Sequence, residues 1–497
     1  METLLEKPGK EGVSSTPVSP RKKKNGLGPW YQWHRKTGII VLVPIIMWCV
    51  SGLMHPIMAR WFKVEIPNRF ITSPALQAGD FEVSLQEVLL KNGIASMGNV
   101  NVVLMDDQRY YQVQPADRQE EIQYFSTKDG TKLADGDAVY AAYLARYFIE
   151  EWSADIRQIE RVSDYTGEYK FINRLLPVYK VSFDRPGAMD VYVHTASSRL
   201  GTANDKSRKI FLWLFSTLHN WDFFAFAGPV RPVLMTLLLA LIFLSAVSGL
   251  YIYAMGWKRF RKQAITNSRL QKRKWHRSLG VAISLVALTF SFSGAYHLLH
   301  KKDPKTLHKF TDNVEIHPGD LIIDPVSRFK ALEYPVANFS LVAFEGQTYY
   351  RFTHWGPQHN KVSYLSSTRG ELLQNGDSKY AKYLAKKFSG LEDANISSVA
   401  QITKFRGEYG FVNKRLPVQK VSYDTRDNAA YYIETSTGKL ASVVTDPDRW
   451  EGFSFAFLHK YHTLDFAGKD FRDAIMSLAA LGLLVVSLFG LMLYLKK

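Results

Sequence analysis

Eight of the chain's thirteen histidines lie in or beside long apolar segments: His34, His55, His219, His276, His297, His300, His459 and His462. An imidazole without a partner is costly in hydrocarbon, so a histidine placed there asks for one. Haem iron meets that demand, because neutral imidazoles ligate both of its axial faces while the macrocycle fills apolar space between helices. Six of the eight form pairs at a nearly constant separation: His34 with His276, His55 with His297, and His219 with His459. His300 and His462 lack a matched histidine, Asp222 standing opposite His462, and read as supporting or surface groups. His194, His308, His317, His354 and His359 lie in the polar regions and read as ordinary surface residues.

The 21 residues from His34 to His55 span about 31 Å of helix. At about 100° per residue the two fall within about 60° of one stripe, one member near each membrane face. His219 precedes a charge-free span by 13 residues, inside the apolar run 210–228, and so belongs at the outer face near His55. His55, His219, His297 and His459 then converge there, enough for two bis-imidazole b-type haems. His34 and His276 face each other at the inner side, as one more ligand pair or as a polar entry site. The competing reading makes each an interfacial hydrogen-bonding residue. Recurrence in both halves, while the flanking span residues diverge, favours ligation.

The elements that must position these side chains follow from charge. Residues 37–59, 232–257, 278–300 and 474–495 contain no Asp, Glu, Lys or Arg, and each holds 22 to 26 residues. At about 1.5 Å per residue each crosses a hydrocarbon core of about 30 Å. The net charge of +17 is concentrated in residues 1–36, in 257–277 with nine cations and no acid, and in Lys496 and Lys497. Such segregation marks topology rather than a nucleic-acid footprint. It puts the N-terminus, the 257–277 loop and the C-terminus in the cytoplasm and leaves 60–231 and 301–473 outside. The first span begins after more than 35 residues without a small-residue cleavage pattern, and reads as a retained anchor. Cys49, the only cysteine, lies in that span. The outer regions therefore have no internal disulfide, thiolate cluster or covalent c-type haem attachment.

The chain reads as one unit written twice. Trp33-His34-Arg35-Lys36-Thr37-Gly38 recurs as Trp275-His276-Arg277-Ser278-Leu279-Gly280, and Ser51-Gly52-Leu53-Met54-His55 as Ser293-Gly294-Ala295-Tyr296-His297. GEYKFINRLLPVYKVSFD from Gly167 matches GEYGFVNKRLPVQKVSYD from Gly407 at 12 of 18 positions. Arg231, Met235, Gly249 and Tyr253 correspond to Arg472, Met476, Gly490 and Tyr494. Each outer region predicts an α+β unit. Helical spacing of Tyr140, Tyr143, Leu144, Ala145 and Phe148 repeats at Tyr380, Tyr383, Leu384, Ala385 and Phe388. A hairpin follows, Val178–Phe183 and Val191–Val193 around Arg185-Pro186-Gly187, with its counterpart at Val418–Tyr423 and Tyr431–Ile433.

The resulting membrane protein has four transmembrane α-helices from a tandem duplication and two α+β outer domains. Its parts are a disordered cytoplasmic tail 1–29, a first span 30–60, outer domain 61–208, and a juxtamembrane segment with the second span, 209–256. A basic cytoplasmic loop 257–277, a third span 278–300, outer domain 301–449 and a juxtamembrane segment with the fourth span, 450–497, complete it.

The His-Arg-x-x-Gly entry at His34, the Ser-Gly-x-x-His exit at His55, and the strand endings Ala196–Gly201 and Thr435–Leu440 resemble the PepSY-associated transmembrane (PepSY_TM) family of bacterial inner-membrane proteins. The resemblance covers residues 30–497. It implies PepSY-like periplasmic domains and similarity to b-haem-containing ferric-siderophore reductases. On that reading the six paired histidines are cofactor-binding, with His55, His219, His297 and His459 on iron of two b-type haems, and electrons pass to a periplasmic ferric siderophore. Iron(III) in such chelates is held by hard oxygen ligands, and reduction to iron(II) loosens it. No Gly-x-Gly-x-x-Gly follows a strand and no P-loop is present, so a membrane quinol or a redox partner must donate the electrons. The implied partners are membrane lipid and the chelate, with no nucleic acid. The alternative is a PepSY protein that binds a peptide, a peptidase or another ligand outside the membrane without redox chemistry. A transporter is weaker, because the spans hold almost no relay group besides histidine.

The topology is checked by labelling. Reporters near Asn92 or Asn375 should react from one side of the membrane, and a reporter near Asn267 from the other, since translocating nine unbalanced cations is costly. Protease that reaches residue 267 from the periplasmic side of spheroplasts contradicts this arrangement.

Overall fold

The computed structural model describes residues 27–118, 121–300, 307, 309–358 and 361–495. Most of the expected tail, Lys496, Lys497, His308 and His359 lie outside the described residues. Among the described residues, four helices are long and apolar enough to cross a membrane. The first begins as α1 (Gly28–Ile40) and continues as α2 (Leu42–Trp61) across Val41. Pro44 has no N–H to donate to the Ile40 carbonyl, and the helix loses one rung there while the bonds from Val41 and Ile45 hold the rod together.

Next to the bundle lies a layer of sheets. After α3 (Leu85–Lys91), strands β1 (Met97–Met105), β2 (Gln108–Pro115) and β3 (Gln123–Ser126) form an antiparallel sheet in that order. Helix α4 (Gly136–Ile149) leads to a second antiparallel sheet, β4 (Asp155–Val162), β5 (Val178–Asp184), β6 (Asp190–His194) and β7 (Arg199–Asn204). The expected helix and hairpin are α4, β5 and β6. Tyr140, Ala141, Leu144, Ala145 and Phe148 are buried along one stripe of α4, each contributing about 1.5–3 kcal/mol if it is a large apolar side chain.

The chain then runs through α5 (Lys206–Phe215), a π-helical turn Ser216–Asn220 and a 3₁₀ turn Asp222–Ala227 into α6 (Val230–Lys262). Helix α7 (Ser268–His300) returns through the bundle. The basic stretch is therefore mostly helical, with only 263–267 as the connection, rather than a loop over 257–277. Lys and Arg are good helix formers, and cations in the last turn of α6 suit the negative end of its dipole.

The second half repeats the order with β8 (Val336–Phe344), β9 (Gln347–His354), β10 (Val362–Ser366), α8 (Gly376–Ser389), β11 (Ile396–Ile402), β12 (Val418–Tyr423), β13 (Ala430–Glu434) and β14 (Lys439–Val444). Helix α9 (Asp446–Ser454), a π turn Phe455–His459 and a 3₁₀ turn His462–Ala467 lead into α10 (Lys469–Leu495).

The two sheet regions are not independent units. One core combines Leu76, Met97 and Tyr111 from the first half with Ile316, Phe339 and Phe352 from the second. Met97 and Ile316 exchange both backbone hydrogen bonds at 2.9 Å, and the Val102 N–H donates to Asn338 Oδ1 at 2.8 Å. A boundary drawn from repeat offsets places each half by itself, because periodicity within a strand does not say whose strand lies opposite.

Two supposed surface histidines also belong to this layer's interior. His194 and His354 are each 1% exposed. His194 pairs with Ser197, and His354 pairs with the Tyr334 carbonyl and with Ser363. Near His194 a buried carboxylate crosses the halves: Glu434 accepts hydrogen bonds from Arg199, Arg415 and Thr437. Burial pushes the Glu434 carboxyl up, but Arg199 and Arg415 outweigh it and hold it well below the usual carboxylate range.

Removing Glu434 leaves two guanidinium groups facing each other in the interior. Glu434→Ala should destabilise the protein by about 3–5 kcal/mol, read as a large fall in the detergent melting temperature. A carboxyl with a depressed folded-state pKa contributes stability that is complete above its unfolded value of about 4.3 and fades as pH falls. The gap between wild type and variant should therefore narrow only below about pH 4.

Candidate functional site

A cavity of about 1900 Å³ runs inside the helix bundle and opens toward the sheet layer. It is roughly twice the largest common small-molecule pocket of about 1,000 Å³. All six paired histidines line it, as do His300 and His462.

His34 and His276 come together at the end of the cavity away from the sheets, with ring centroids 6.3 Å apart and planes at 60°. Small residues make room for them. A Cβ on Gly249 would lie 3.1 Å from the His34 ring, and one on Gly490 would lie 3.4 Å from the His276 ring. These glycines are counterparts in the repeat. His34 Nδ1 lies 3.1 Å from the Ser245 carbonyl and 2.9 Å from Ser248 Oγ, while His276 Nδ1 lies 3.1 Å from the Val486 carbonyl. A carbonyl only accepts, so both rings carry their proton on Nδ1 and keep the Nε2 lone pair.

His219 and His459 ride on the two π turns. A π turn widens the helix by one residue and is a frequent feature of functional sites. The sequence places His219 at the outer face, but the structure seats it deeper. Its Nδ1 pairs with Ser51 Oγ at 3.0 Å, and its backbone carbonyl accepts from Trp48 Nε1 at 3.0 Å. Ser51 stands four residues before His55, which puts this contact about 6 Å farther in along α2. His459 Nδ1 lies 3.1 Å from Ser293 Oγ, the corresponding serine on α7. Each serine hydroxyl donates to its own helix, Ser51 to the Trp48 carbonyl and Ser293 to the Phe290 carbonyl. Their oxygens therefore accept from Nδ1–H, and again Nε2 keeps the lone pair. The irregular backbone is tolerated at this depth because it lines a cavity within protein.

His55 and His297 break the symmetry. His297 Nδ1 lies 2.5 Å from Glu451 Oε1, while its ring stacks on Phe455. Phe211 holds the position that corresponds to Glu451, and it packs with Phe215 against His55 at 6.4 and 6.2 Å between ring centroids. The same Phe215 stacks on His219 at 4.6 Å, which brings His55 and His219 together as the sequence suggests. His55 has no hydrogen-bond partner for its ring among the described residues, whereas His297 has a carboxylate.

His462, read as lacking a counterpart, pairs with Asp465 and Arg472. Its repeat position does the same work in another form, Asp222 accepting from Arg231. His300 stacks on Tyr296. Sequence reasoning missed the serines and the two π turns. The Ser-Gly-x-x-His repeat contains Ser51 and Ser293, and that pairing was the available signal. Among the described residues no group of three or more His, Cys, Asp or Glu is arranged to hold a bare metal ion.

What the arrangement supplies is a tall apolar cavity with imidazole lone pairs at both ends, five of the six rings fixed in one tautomer by acceptors behind them. Metal-ligating histidines characteristically donate their other ring N–H in this way. No curated protein matches the chain. Residues 104–320, from the end of β1 through α6 and α7, match the family described as the PepSY-associated TM region. The matched region spans two of the four apolar helices together with antiparallel sheet, and in it the chain is similar to the PepSY-associated TM family.

Proposed function

We propose that the protein is an inner-membrane b-type haem oxidoreductase that arose by tandem duplication and passes electrons to a periplasmic ferric siderophore. The observation that carries this reading is the set of six repeat-matched histidines on one cavity, five with Nδ1 engaged and Nε2 free. Bound b-type haem, two groups in this reading, supplies one-electron redox chemistry.

The donor set and the cavity fit that group. Imidazole is a common axial ligand, apolar residues such as Ile45, Leu239, Ile242 and Ala287 line the cavity, and its length serves electron passage between the two membrane faces. His55, His219, His297 and His459 would hold the iron of the two haems on the sheet side, and His34 and His276, with ring centroids 6.3 Å apart, would form either one more ligand pair or a polar entry site at the other end. Glu451 strengthens His297 as a donor, since a carboxylate behind an imidazole raises its basicity. The electrons come from a membrane quinol or a redox partner on the cytoplasmic side, and the sheet layer docks the ferric chelate in the periplasm. Reduction places one electron on iron(III), and the hard oxygen ligands release the iron(II) product more readily.

Protein purified in mild detergent should yield non-covalent b-type haem in a pyridine extract. Absence of any haem, from cells supplied with iron and a haem precursor, sinks the reading and favours a PepSY domain that binds a peptide or peptidase. His219→Ala and His459→Ala should each lower haem content or shift a low-spin spectrum toward high-spin, with chelate reduction falling in parallel. Retention of full haem and an unchanged spectrum by two or more of the four sheet-side alanine variants withdraws that ligand assignment.

The supporting groups give a finer expectation. Ser51→Ala and Ser293→Ala should weaken haem retention on the order of 10- to 100-fold. Glu451→Gln should shift one haem midpoint potential upward and leave the other in place. Equal movement of both potentials contradicts a specific role behind His297.

A further inference from the structure

The most strongly repeated stretch of the sequence begins at Gly167 and Gly407. Within it, Phe171–Asn173 and Phe411–Asn413 form matching 3₁₀ turns, each ended by a residue in the left-handed conformation, Arg174 at φ 54° and Lys414 at φ 62°. Both ends carry a long cation where glycine would be unstrained, and such positions persist where the surroundings hold them. The two turns meet at the sheet-side mouth of the histidine cavity. Phe171, Arg174, Phe411 and Asn413 all line it, and Arg174 Nη1 donates to Asn413 Oδ1 at 2.6 Å.

Arg208, in the first turn of α5, lines the same mouth. Three residues on in α5, Phe211 packs against His55. Arg174, Arg208 and Lys414 are half-buried, and none forms an ion pair among the described residues. Lys414 Nζ donates only to the Gly201 carbonyl at 3.2 Å. The Nε atoms of Arg174 and Arg208 are buried without a hydrogen-bond partner among the described residues. Asp205 spends its carboxylate on the backbone N–H of Arg208 at 2.7 Å. Burial lowers the pKa of all three cations, the nearby Asp205 offsets only part of this at Arg208, and Arg208 lowers that of Lys414 further. Acids on the same mouth are engaged elsewhere: Glu408 with Lys420 and Arg449, and Glu451 with His297.

Three partly desolvated cations with no direct ion pair among the described residues are expensive to keep. Guanidinium groups with open N–H donors match carboxylate geometry. We propose that Arg174, Arg208 and Lys414 form a binding site for the carboxylate groups of an anion at the sheet-side mouth of the cavity. The carboxylates come either from the edge of a tetrapyrrole seated in the cavity, an arm that rests on the haem reading, or from a soluble chelate arriving from the sheet side. The aromatic tips Phe171 and Phe411 flank the cations and supply apolar contact to the body of the ligand.

The test uses full-length protein in detergent, as wild type, R174Q/R208Q and the charge-preserving R174K/R208K. Each is titrated with gallium(III) citrate, a redox-inert carboxylate chelate, and its haem is extracted and quantified. For a soluble anion, wild type binds the probe, salt weakens binding, and R174Q/R208Q loses about tenfold or more in affinity at unchanged haem content. For tetrapyrrole carboxylates, R174Q/R208Q loses haem and wild type does not take up the probe. In either case R174K/R208K, which keeps the charge without the guanidinium fork, restores part of the loss. R174Q/R208Q indistinguishable from wild type in both readouts overturns the proposal, and so does equal loss in the Lys and Gln variants, which makes the two arginines structural. Wild type without haem whose citrate binding depends on the two arginines keeps the anion site and removes the haem reading instead.

Discussion

The arrangement of the bundle depends on one repeated hydrogen bond, the Nδ1–H of an imidazole donated to an oxygen on a neighbouring helix. In an apolar environment a free imidazole N–H is costly, so each ring is drawn to the nearest acceptor. At His34 and His276 that acceptor is a backbone carbonyl of α6 or α10, and at His219 and His459 it is a serine on α2 or α7. Each bond therefore ties one segment of the chain to another across the cavity. The same bond fixes which nitrogen keeps its lone pair, and packing and chemistry are set by a single contact.

The sheet layer holds the upper ends of these segments in place. Arg199 of the first half and Arg415 of the second both bind Glu434, and the apolar core beneath β1 and β8 is drawn from both halves. The turns that carry Phe171 and Phe411 are thereby fixed relative to one another over the cavity mouth. A mouth tied across the two halves and a tautomer-locked interior are two forms of preorganisation.

Much of this was legible in the sequence. Gaps in charge located the four spans, because an ionised side chain is too costly in hydrocarbon to be scattered there by chance. Helical spacing located α4 and α8, and alternation located the hairpins. The candidate histidines were legible from recurrence, and all six reach one cavity. What stayed hidden depends on contacts between distant segments. The depth of His219 is set by a π turn and by Ser51, 168 positions away. The inequality of His55 and His297 rests on Glu451 against Phe211, a difference in the partner and not in the histidine. His194 and His354 read as surface groups because one polar residue in a strand does not reveal that serine and carbonyl partners lie within reach.

The shared core has a consequence for how the chain is made. Leu76, Met97 and Tyr111 are synthesised early, but the residues that cover them, Ile316, Phe339 and Phe352, emerge only after two further spans have been threaded. Until then the first three-stranded sheet has an apolar face and no lid. The nascent first half stays exposed and aggregation-prone until its second half has been made. The length of that exposed interval is set by the chain between Tyr111 and Ile316.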